Sequence, residues 1–579
     1  MQFIKRIGNL DARLFLLPLL LTLSCFANTL GHDFVYDDRF QIVEAAPIRD
    51  WRSENLVHLF DRDVWAFFSQ DLSWEGKIRS QYYRPLFALF VMINYLYAGL
   101  SAWGWHLTAV LLHCLATLLV YQLLLVSLSS TVGSVIEIRE IRLLTVVATL
   151  YFAIHPAQSE SVAWVSAYVN ALSAIFILGA LLAYLHARIN AQWRWLGLGA
   201  TLYALALLTK EMAIIVPVII AAYELFILAN PGNWRARGRT LLLMCGPFLV
   251  VTAGYLALRI AIFGQVKLAT ASLDFPTLTG MGIMVNLYTL PSVVLKYLEI
   301  ICWPFALRPM YGVRYVLAAG LGNFYLPLVL LIILSVLALI FARKSVLVRL
   351  GLIWLIVPLL PVLDIRSFRV EDLVHDRYLY LSLIGAGILL VSIGGWVSQR
   401  LSNGVTRLRP SIALLTTALL LLMLATTVKQ NSVWADEWQL WSAAQESVPD
   451  SCTVNLELGR LNEEAENDLV ALEHYQRALR ICPDSVMLQY KLGLLWGRHG
   501  ELSRAQEAFQ HMSELSLNRI IRATAHFNLG VVYERQGHWE QAVKHYQEGI
   551  RLNPNSKNTA QVRQAIDELM AKIAQGAAK

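Results

Sequence analysis

Apolar runs of close to 20 residues recur along this 579-residue chain and constrain its fold more than any other feature. Runs of this length match the hydrocarbon core of a bilayer, which is about 30 Å thick. Hydrophobic residues make up 57% of the sequence and charged residues only 15%, against about 25% charged residues in soluble proteins. The sequence therefore predicts a polytopic membrane protein, and it excludes a soluble enzyme, a disordered chain and a disulfide scaffold.

Eleven membrane spans are predicted from these runs. They lie at about 14–30, 103–128, 142–154, 168–187, 195–209, 212–228, 240–262, 324–342, 346–362, 378–397 and 411–428. We expect the first to be an uncleaved anchor rather than a signal peptide, because no A-x-A cleavage site follows it. The runs at 85–98 and 286–303 are ambiguous.

The positive-inside rule decides the two ambiguous runs. Basic residues cluster at 5–6, 139–142, 188–194, 235–239, 343–349 and 400–409, and eleven spans place all of these clusters on one side. Counting 85–98 as a span would put 235–239 on the opposite side, and counting only 286–303 would invert the last two clusters. Both runs are therefore predicted to be interfacial or re-entrant helices. The N-terminus is then cytoplasmic, and the outer face carries 32–102, 155–167, 210–211, 263–323, 363–377 and everything after 428.

The last quarter of the chain has a different composition. From about residue 434 the composition becomes soluble and a 34-residue self-similarity appears. Its three copies share a leucine, a glycine and an aromatic residue at the same spacing: Leu458, Gly459 and Tyr475; Leu492, Gly493 and Phe509; Leu529, Gly530 and Tyr546. The pattern resembles tetratricopeptide repeats, each a pair of closely packed antiparallel helices.

This division predicts an all-α fold in two domains. A membrane helical bundle over 1–430 precedes an α-solenoid over 431–579, with repeats at about 452–485, 486–522 and 523–556 and a capping helix at 557–575. The repeats either stabilise the outer face or recruit a protein or peptide on their concave surface, and we favour recruitment.

Cys452 and Cys482 are predicted to lie side by side. They stand at the start of the first helix and the end of the second helix of repeat one, and these ends meet because the helices are antiparallel. An oxidising outer location would let a disulfide persist. The alternative is two unrelated thiols that fill space.

Five polar clusters stand at predicted outer ends of spans, where an ionisable residue indicates a functional site. In chain order they are Tyr36-Asp37-Asp38; Tyr82-Tyr83-Arg84 with His106 and His113; His155-Pro156 with Glu160; Lys210-Glu211; and His375-Asp376-Arg377-Tyr378. The adjacent carboxylates of Asp37 and Asp38 repel each other, so either one of them holds a proton near neutral pH or both share a cation. Taken alone, the first cluster also fits a solvated helix end, Lys210-Glu211 also fits a satisfied ion pair, and the other three also fit interfacial anchors.

Acids and cations on the same leaflet suit a membrane enzyme whose substrate carries a phosphate at the interface. Cations stabilise a phosphate leaving group, while a carboxylate removes a proton from the nucleophile. No nucleotide-binding signature interrupts the chain, which favours a lipid phosphate over a soluble nucleotide. Nucleic acid is not an expected partner, because the basic residues behind the net charge of +7 are spread over short loops.

Taken together, these motifs resemble a known family. The order Phe34-Val-Tyr-Asp37-Asp38, Tyr83-Arg84-Pro85-Leu86, His106-Leu107, His155-Pro156, Leu208-Thr-Lys210-Glu211 and Asp376-Arg377-Tyr378-Leu379-Tyr380 is similar to the transmembrane and tetratricopeptide-repeat O-mannosyltransferases. More broadly it resembles protein O-mannosyltransferases and other glycosyltransferases of the GT-C fold. The family often has a Gly-Arg-x-Asp stretch after the His-Pro motif, and here Ala167-Tyr168-Val169-Asn170 stands in its place.

The resemblance implies a GT-C-like membrane bundle, an inverting reaction and a sugar donor on a polyprenyl phosphate. It assigns Asp37 and Asp38 as the catalytic acids. It offers four residues for holding the donor phosphate, namely Lys210, Arg377, Arg84 and His155. The supporting residues around them are Glu160, Glu211, His106, Asp376 and Tyr378.

The sequence thus predicts a membrane glycosyltransferase that moves one sugar, with mannose the first candidate, from a polyprenyl-phosphate carrier to a hydroxyl. We expect the acceptor to be a Ser or Thr of an exported protein, although a glycan or lipid acceptor stays open, as does a divalent metal. No N-x-[ST] sequon occurs, which favours a bacterial inner membrane with periplasmic repeats. The rival functions are a non-catalytic assembly scaffold and a lipid-linked-sugar transporter.

Overall fold

The computed structural model describes residues 12–68, 82–133, 136–228, 234–264, 282–365, 371–401 and 408–577. All regular structure in these ranges is helical, which confirms the predicted all-α class. The chain divides into two compact units, and the boundary between them lies between Leu440 and Trp441.

The first unit contains the apolar helices. They are α1 Ala12–Phe26, α2 Ser53–Asp61, α3 Val64–Phe68, α4 Pro85–Ala98, α5 Ala102–Val132, α6 Ile138–Ala153, α7 Ser159–Ala163, α8 Val169–Asn190, α9 Arg194–Thr209, α10 Val216–Ala222, α11 Trp234–Phe263, α12 Ile283–Cys302, α13 Leu326–Lys344, α14 Val346–Ile356, α15 Ser382–Leu401 and α16 Leu408–Asn431. Helix α17, Glu437–Ser447, contains the boundary between the units.

Seven helices in the described ranges are long and apolar enough to cross a membrane by length and composition. They are Ala102–Val132, Val165–Asn190, Arg235–Phe263, Ile283–Cys302, Leu321–Lys344, Val346–Leu363 and Pro410–Trp434. Three predicted spans correspond to shorter apolar helices, at Leu16–Gly31, Arg194–Thr209 and Ser382–Val397. The span predicted at 142–154 lies in α6, which has 16 residues.

Two predicted segments differ in shape from the expectation. The run at 212–228 is not one α-helix, because α10 is flanked by a 3-10 turn at Glu211–Ile215 and a π turn at Tyr223–Ile227. The run at 286–303, predicted to be an interfacial or re-entrant helix, forms one continuous helix of 20 residues that is long and apolar enough to cross a membrane. Helix α4 has 14 residues and spans only about 21 Å at 1.5 Å per residue, less than a bilayer core.

Small residues let the apolar helices approach closely. At Gly385 in α15, a Cβ atom would lie 2.2 Å from the backbone nitrogen of Leu355 and 2.4 Å from the carbonyl oxygen of Gly351 in α14. Lipid supplies no hydrophobic force between helices, so van der Waals packing through small residues stabilises such a contact. This glycine therefore fixes the α14–α15 crossing.

The second unit contains three helix pairs and a terminal helix. They are α18 Cys452–Glu464 with α19 Asp468–Ile481, α20 Val486–Arg498 with α21 Leu502–Leu515, α22 Arg519–Arg535 with α23 Trp539–Leu552, and α24 Thr559–Ala577. A Cβ atom at the shared glycine of each first helix would lie 2.4–2.6 Å from the ring of the second helix, at Gly459, Gly493 and Gly530 against Tyr475, Phe509 and Tyr546. The glycine and aromatic positions of the sequence repeat are thus the contact between the two helices of each pair.

The two cysteines of repeat one lie where the sequence places them. Cys452 begins α18 and Cys482 follows the last residue of α19. Their Cα atoms are 6.1 Å apart, within the range of about 4.4–6.8 Å that a disulfide usually spans. The bridge remains a prediction, and a test is given in the Discussion.

Candidate active site

The acidic pair lies in a strained turn just beyond α1. Tyr36 has a φ of 55°, in the left-handed region that a bulky residue rarely occupies. A strained backbone persists only where its surroundings hold it, and such positions cluster at functional sites. The turn directs the two neighbouring carboxylates into different environments.

Asp38 is fully buried and saturated with hydrogen bonds. One carboxylate oxygen accepts from the Val35 backbone N–H at 3.1 Å, and the other accepts from the Ser166 N–H at 2.7 Å and the Ser166 hydroxyl at 2.5 Å. Burial raises the pKa of Asp38 to about 7, against the three hydrogen bonds that favour the charged form. Asp37 is only half-buried. Asp38 therefore ties the turn to residue 166, and Asp37 is the more accessible carboxylate.

Trp164 connects this turn to the basic side chains. Its ring lies 5.4 Å from the ring of Tyr36 and stacks on Trp434 at 5.7 Å. The Arg377 guanidinium lies 5.3 Å from the centre of the Trp164 ring and 5.0 Å from that of Tyr378. A continuous chain of contacts thus runs from the acidic turn to Arg377 and Tyr378.

Arg377 is held by Glu160, 217 positions away in the sequence. Its guanidinium contacts one oxygen of the Glu160 carboxylate, and its backbone N–H donates to the other at 2.8 Å. His375 lies 3.5 Å from Glu160 and 2.9 Å from Asp372. Burial raises the pKa of Glu160, but Arg377 and His375 outweigh burial and hold that pKa at about 2. Glu160 is therefore an ionised anchor for Arg377.

Asp376 differs from Glu160 although the two are close in space. Its carboxylate accepts a hydrogen bond of 2.6 Å from the Tyr311 hydroxyl. Burial, and then the charge of Glu160, raise the pKa of Asp376 well above its usual value. Of these two coupled carboxyls, Glu160 carries the charge and Asp376 holds the proton.

Arg84 is neutralised by Glu211. Two nitrogens of the guanidinium donate to the two carboxylate oxygens, at 2.9 and 2.6 Å, and both side chains are largely buried. The Arg84 guanidinium also lies 4.4 Å from the centre of the Tyr82 ring. A bidentate pair of this kind satisfies the cation.

Lys210 is a buried cation without such a partner. Its ammonium donates a hydrogen bond to the side-chain oxygen of Asn170 and lies 5.7 Å from the centre of the Tyr378 ring. The side chain is only 7% exposed, and no carboxylate in the described ranges lies within ion-pair distance of its nitrogen. Burial, and then the charge of Arg84, lower the pKa of Lys210 to about 7.

A cavity of about 40 Å³ adjoins this lysine. Its polar side is lined by Asn170, Ser173, Lys210, Arg377 and Tyr378, and its apolar side includes Ile177, Met212 and Pro358. The described residues contain no group of three or more His, Cys, Asp or Glu side chains that could hold a metal ion. Two cations and an apolar wall on one cavity suit an anion attached to a hydrocarbon chain.

His155 does not fit the predicted role of phosphate ligand. One ring nitrogen accepts from the Ala157 backbone N–H at 3.2 Å, and the other lies 3.4 Å from the Ile301 carbonyl oxygen. Burial lowers the pKa of His155 to about 3, so the ring is neutral. One nitrogen caps a turn, the other faces the Ile301 carbonyl oxygen, and the ring carries no charge for an anion.

His106 lies nearer the acidic turn than the cavity. Its Nε2 is 3.4 Å from the Asp33 carbonyl oxygen, and its ring is 5.8 Å from that of His32. The predicted site residues thus fall into the acidic turn with His106, the Glu160–Arg377 and Arg84–Glu211 pairs, and Lys210 at the cavity.

Sequence reasoning missed three contributors to this site. Ser166 holds Asp38, Asp372 holds His375, and Tyr311 holds Asp376. The spacing of Asp372 and His375, three residues apart, could have suggested their contact. Ser166 and Tyr311 gave no signal, because a lone hydroxyl in a loop has no pattern.

The fold and site therefore define a polytopic all-α protein with a charged, partly apolar cavity and C-terminal helical repeats. Residues 523–556 match the tetratricopeptide repeat family. The match coincides with the third sequence copy and confirms the repeat type.

The proteins that the chain is similar to are named protein O-mannosyl-transferases. TMTC4 of Mus musculus is 26% identical over 79% of this chain and 64% of its own length. TMTC3 of Homo sapiens is 24% identical over 92% of this chain and 60% of its own length, and Tmtc1 of Drosophila melanogaster is 34% identical over 33% and 20%. The resemblance that the motifs indicate is confirmed, and the chain spans less than two thirds of the length of each of these relatives.

Proposed function

We propose that this protein is a membrane glycosyltransferase that moves one mannose from a polyprenyl-phosphate carrier to a Ser or Thr hydroxyl of a protein. The observation that carries the proposal is the contact chain from the acidic turn, through Trp164, Arg377 and Tyr378, to the buried cation Lys210. It joins the turn that bears Asp37 to two cations, Arg377 and Lys210, which would stabilise a phosphate. The names of the similar proteins support the choice of sugar and acceptor.

The reaction assigns one role to each end of this chain. The Asp37 carboxylate takes the proton of the acceptor hydroxyl as its oxygen attacks the anomeric carbon of the sugar. The bond between that carbon and the phosphate oxygen breaks, and its electron pair stays on the phosphate. Lys210 and Arg377 stabilise the charge that develops there. A single displacement of this kind inverts the anomeric configuration and releases polyprenyl phosphate.

The remaining charged residues support these groups. Asp38 holds the turn that presents Asp37, and Glu160 orients Arg377. Arg84 and His155 are not proposed as phosphate ligands, because neither lines the cavity beside Lys210 and Arg377, and the His155 ring is neutral.

The repeats give the enzyme a means of recruiting its acceptor, and we propose a protein or peptide as their partner. We further propose that the site and the repeats face the outside of a bacterial inner membrane, with a cytoplasmic N-terminus. The basic residues Lys5, Arg6 and Arg407, on which this topology partly depends, lie outside the described residues. A reporter fused shortly after Val428 should be active only in the external compartment, and cytoplasmic activity would refute the topology.

The experiment that tests the function is a transfer assay with purified full-length protein. It is incubated with a panel of radiolabelled polyprenyl-phosphate sugars and a periplasmic extract, and label is followed into protein, glycan and lipid fractions. We expect radiolabel from the mannose donor to appear in the protein fraction. Label in another fraction would refute the acceptor, and no transfer from any donor would favour a scaffold.

A further inference from the structure

The orientation of the Asn170 side chain at the cavity is fixed by its hydrogen bonds. Its amide nitrogen donates to the Ala167 carbonyl oxygen at 2.8 Å and to the Ser161 hydroxyl at 3.4 Å. An amide nitrogen has two hydrogens, so both have acceptors. The side-chain oxygen must therefore be the atom that faces the Lys210 ammonium.

Lys210 differs in this respect from three arginines of the same unit. Arg84 pairs with Glu211, Arg377 with Glu160 and Arg188 with Glu224, each through a carboxylate. Lys210 receives only a neutral amide oxygen, which orients the ammonium without cancelling its charge. Removing a charge from water is costly, and an uncompensated cation attracts an anion into its site.

The cavity beside Lys210 offers an anion a second polar contact. Ser173 lines the cavity one turn along α8 from Asn170. The Ser173 hydroxyl is buried and has no hydrogen-bond partner in the described part of the chain. A buried hydroxyl without a partner costs free energy unless something absent from the free protein satisfies it.

We propose that Asn170 is a positioning residue that aims the Lys210 ammonium into the cavity while leaving its charge available to the phosphate of the lipid-linked donor. This inference rests on the proposed function for the identity of the anion. An aspartate at position 170 has the same shape but would form an ion pair with Lys210. The amide thus sets the affinity of the site for an anionic ligand.

A pH dependence follows from the groups that face Lys210. Arg84 and Arg377 disfavour its charge, Glu211 and Glu160 favour it, and burial lowers its pKa to about 7. A bound phosphate raises that pKa, so binding takes up a proton and affinity falls as the pH rises above about 7. An aspartate at 170 would move this fall to higher pH by about one unit or more.

The test measures binding of farnesyl phosphate, a short polyprenyl monophosphate, to the full chain in lipid nanodiscs between pH 6 and 9. Asn170→Asp should bind about tenfold more weakly at pH 6.5, a difference of about 1.4 kcal/mol, with the pH midpoint shifted upward. Asn190→Asp, which adds the same charge at the other end of α8, is the matched control and should bind like the wild type. An Asn170→Asp variant with wild-type affinity and midpoint would overturn the inference.

A second pair of variants covers the case in which Asn170→Asp does not fold. Asn170→Ala should weaken binding in the wild type but have no further effect in the Lys210→Met background, because Asn170 acts through Lys210. Equal effects in both backgrounds would overturn the inference. If the wild type itself does not bind farnesyl phosphate, the proposed donor site is refuted. If the wild type binds and the Asn170 variants bind like it, only the proposed role of Asn170 is refuted.

Discussion

Replacing Asp38 with asparagine distinguishes the structural role of Asp38 from the catalytic role proposed for Asp37. Asp38 accepts three hydrogen bonds, two from Ser166 on one oxygen and one from the Val35 backbone on the other. Asparagine keeps one oxygen, so it retains the Ser166 contacts only by turning its NH₂ group toward the Val35 N–H. Two buried donors then face each other, at a cost of about 1–3 kcal/mol.

Hydrogen exchange measures this cost at the backbone amides that donate to Asp38. For Asp38→Asn we expect the amides of Val35 and Ser166 to exchange about 10- to 100-fold faster, since 1.4 kcal/mol is tenfold in an equilibrium constant. Asp37→Asn is the matched control, because the three hydrogen bonds belong to Asp38 and the change at Asp37 should leave both amides unchanged. Unchanged protection in Asp38→Asn, or an equal loss in Asp37→Asn, would refute the assignment of Asp38 as the residue that holds the turn.

Three further predictions concern the buried cations and the repeats. Glu211→Gln leaves Arg84 buried without its carboxylate and should lower stability by about 3–5 kcal/mol, seen as a lower melting temperature in detergent; an unchanged melting temperature would contradict it. Lys210→Met removes an uncompensated charge, so it should melt no lower than the wild type while losing affinity for farnesyl phosphate, and wild-type affinity would remove Lys210 from the site. Cys452 and Cys482 should resist thiol labelling in the denatured, non-reduced protein. A disulfide between residues 30 positions apart contributes about 3–4 kcal/mol to stability in the chain-entropy model. Labelling of both cysteines without prior reduction would show that there is no disulfide.

Most of the fold could be predicted from the lengths of the apolar runs and the spacing of the 34-residue repeat. The glycine and aromatic positions of the 34-residue repeat had to be contacts, because two helices of one pair approach closely only where a side chain is missing. The breaks on either side of α10 gave no such signal. Their residues are as apolar as a span, and the 3-10 and π turns around it depend on tertiary packing.

The site was predictable as a set of residues but not as a set of partners. Sequence reasoning brought Glu160, Arg377, Arg84 and Glu211 to one end of the bundle, because polar residues gather where spans end. The two ion pairs join positions 217 and 127 residues apart, so only the packing of the helices decides which acid meets which cation. Of Arg84, Arg377 and Lys210, only Lys210 has no carboxylate of the described residues within ion-pair distance.

The central claim is that Asp37 accepts the proton of the acceptor hydroxyl, and the most direct test is the transfer rate of Asp37→Asn at saturating donor and acceptor. Loss of a general base lowers the rate by about 10²–10⁴-fold. The account predicts a fall of this size, with the affinity for farnesyl phosphate unchanged in the same preparation because Lys210 and Arg377 remain. Transfer by Asp37→Asn at the wild-type rate would contradict it.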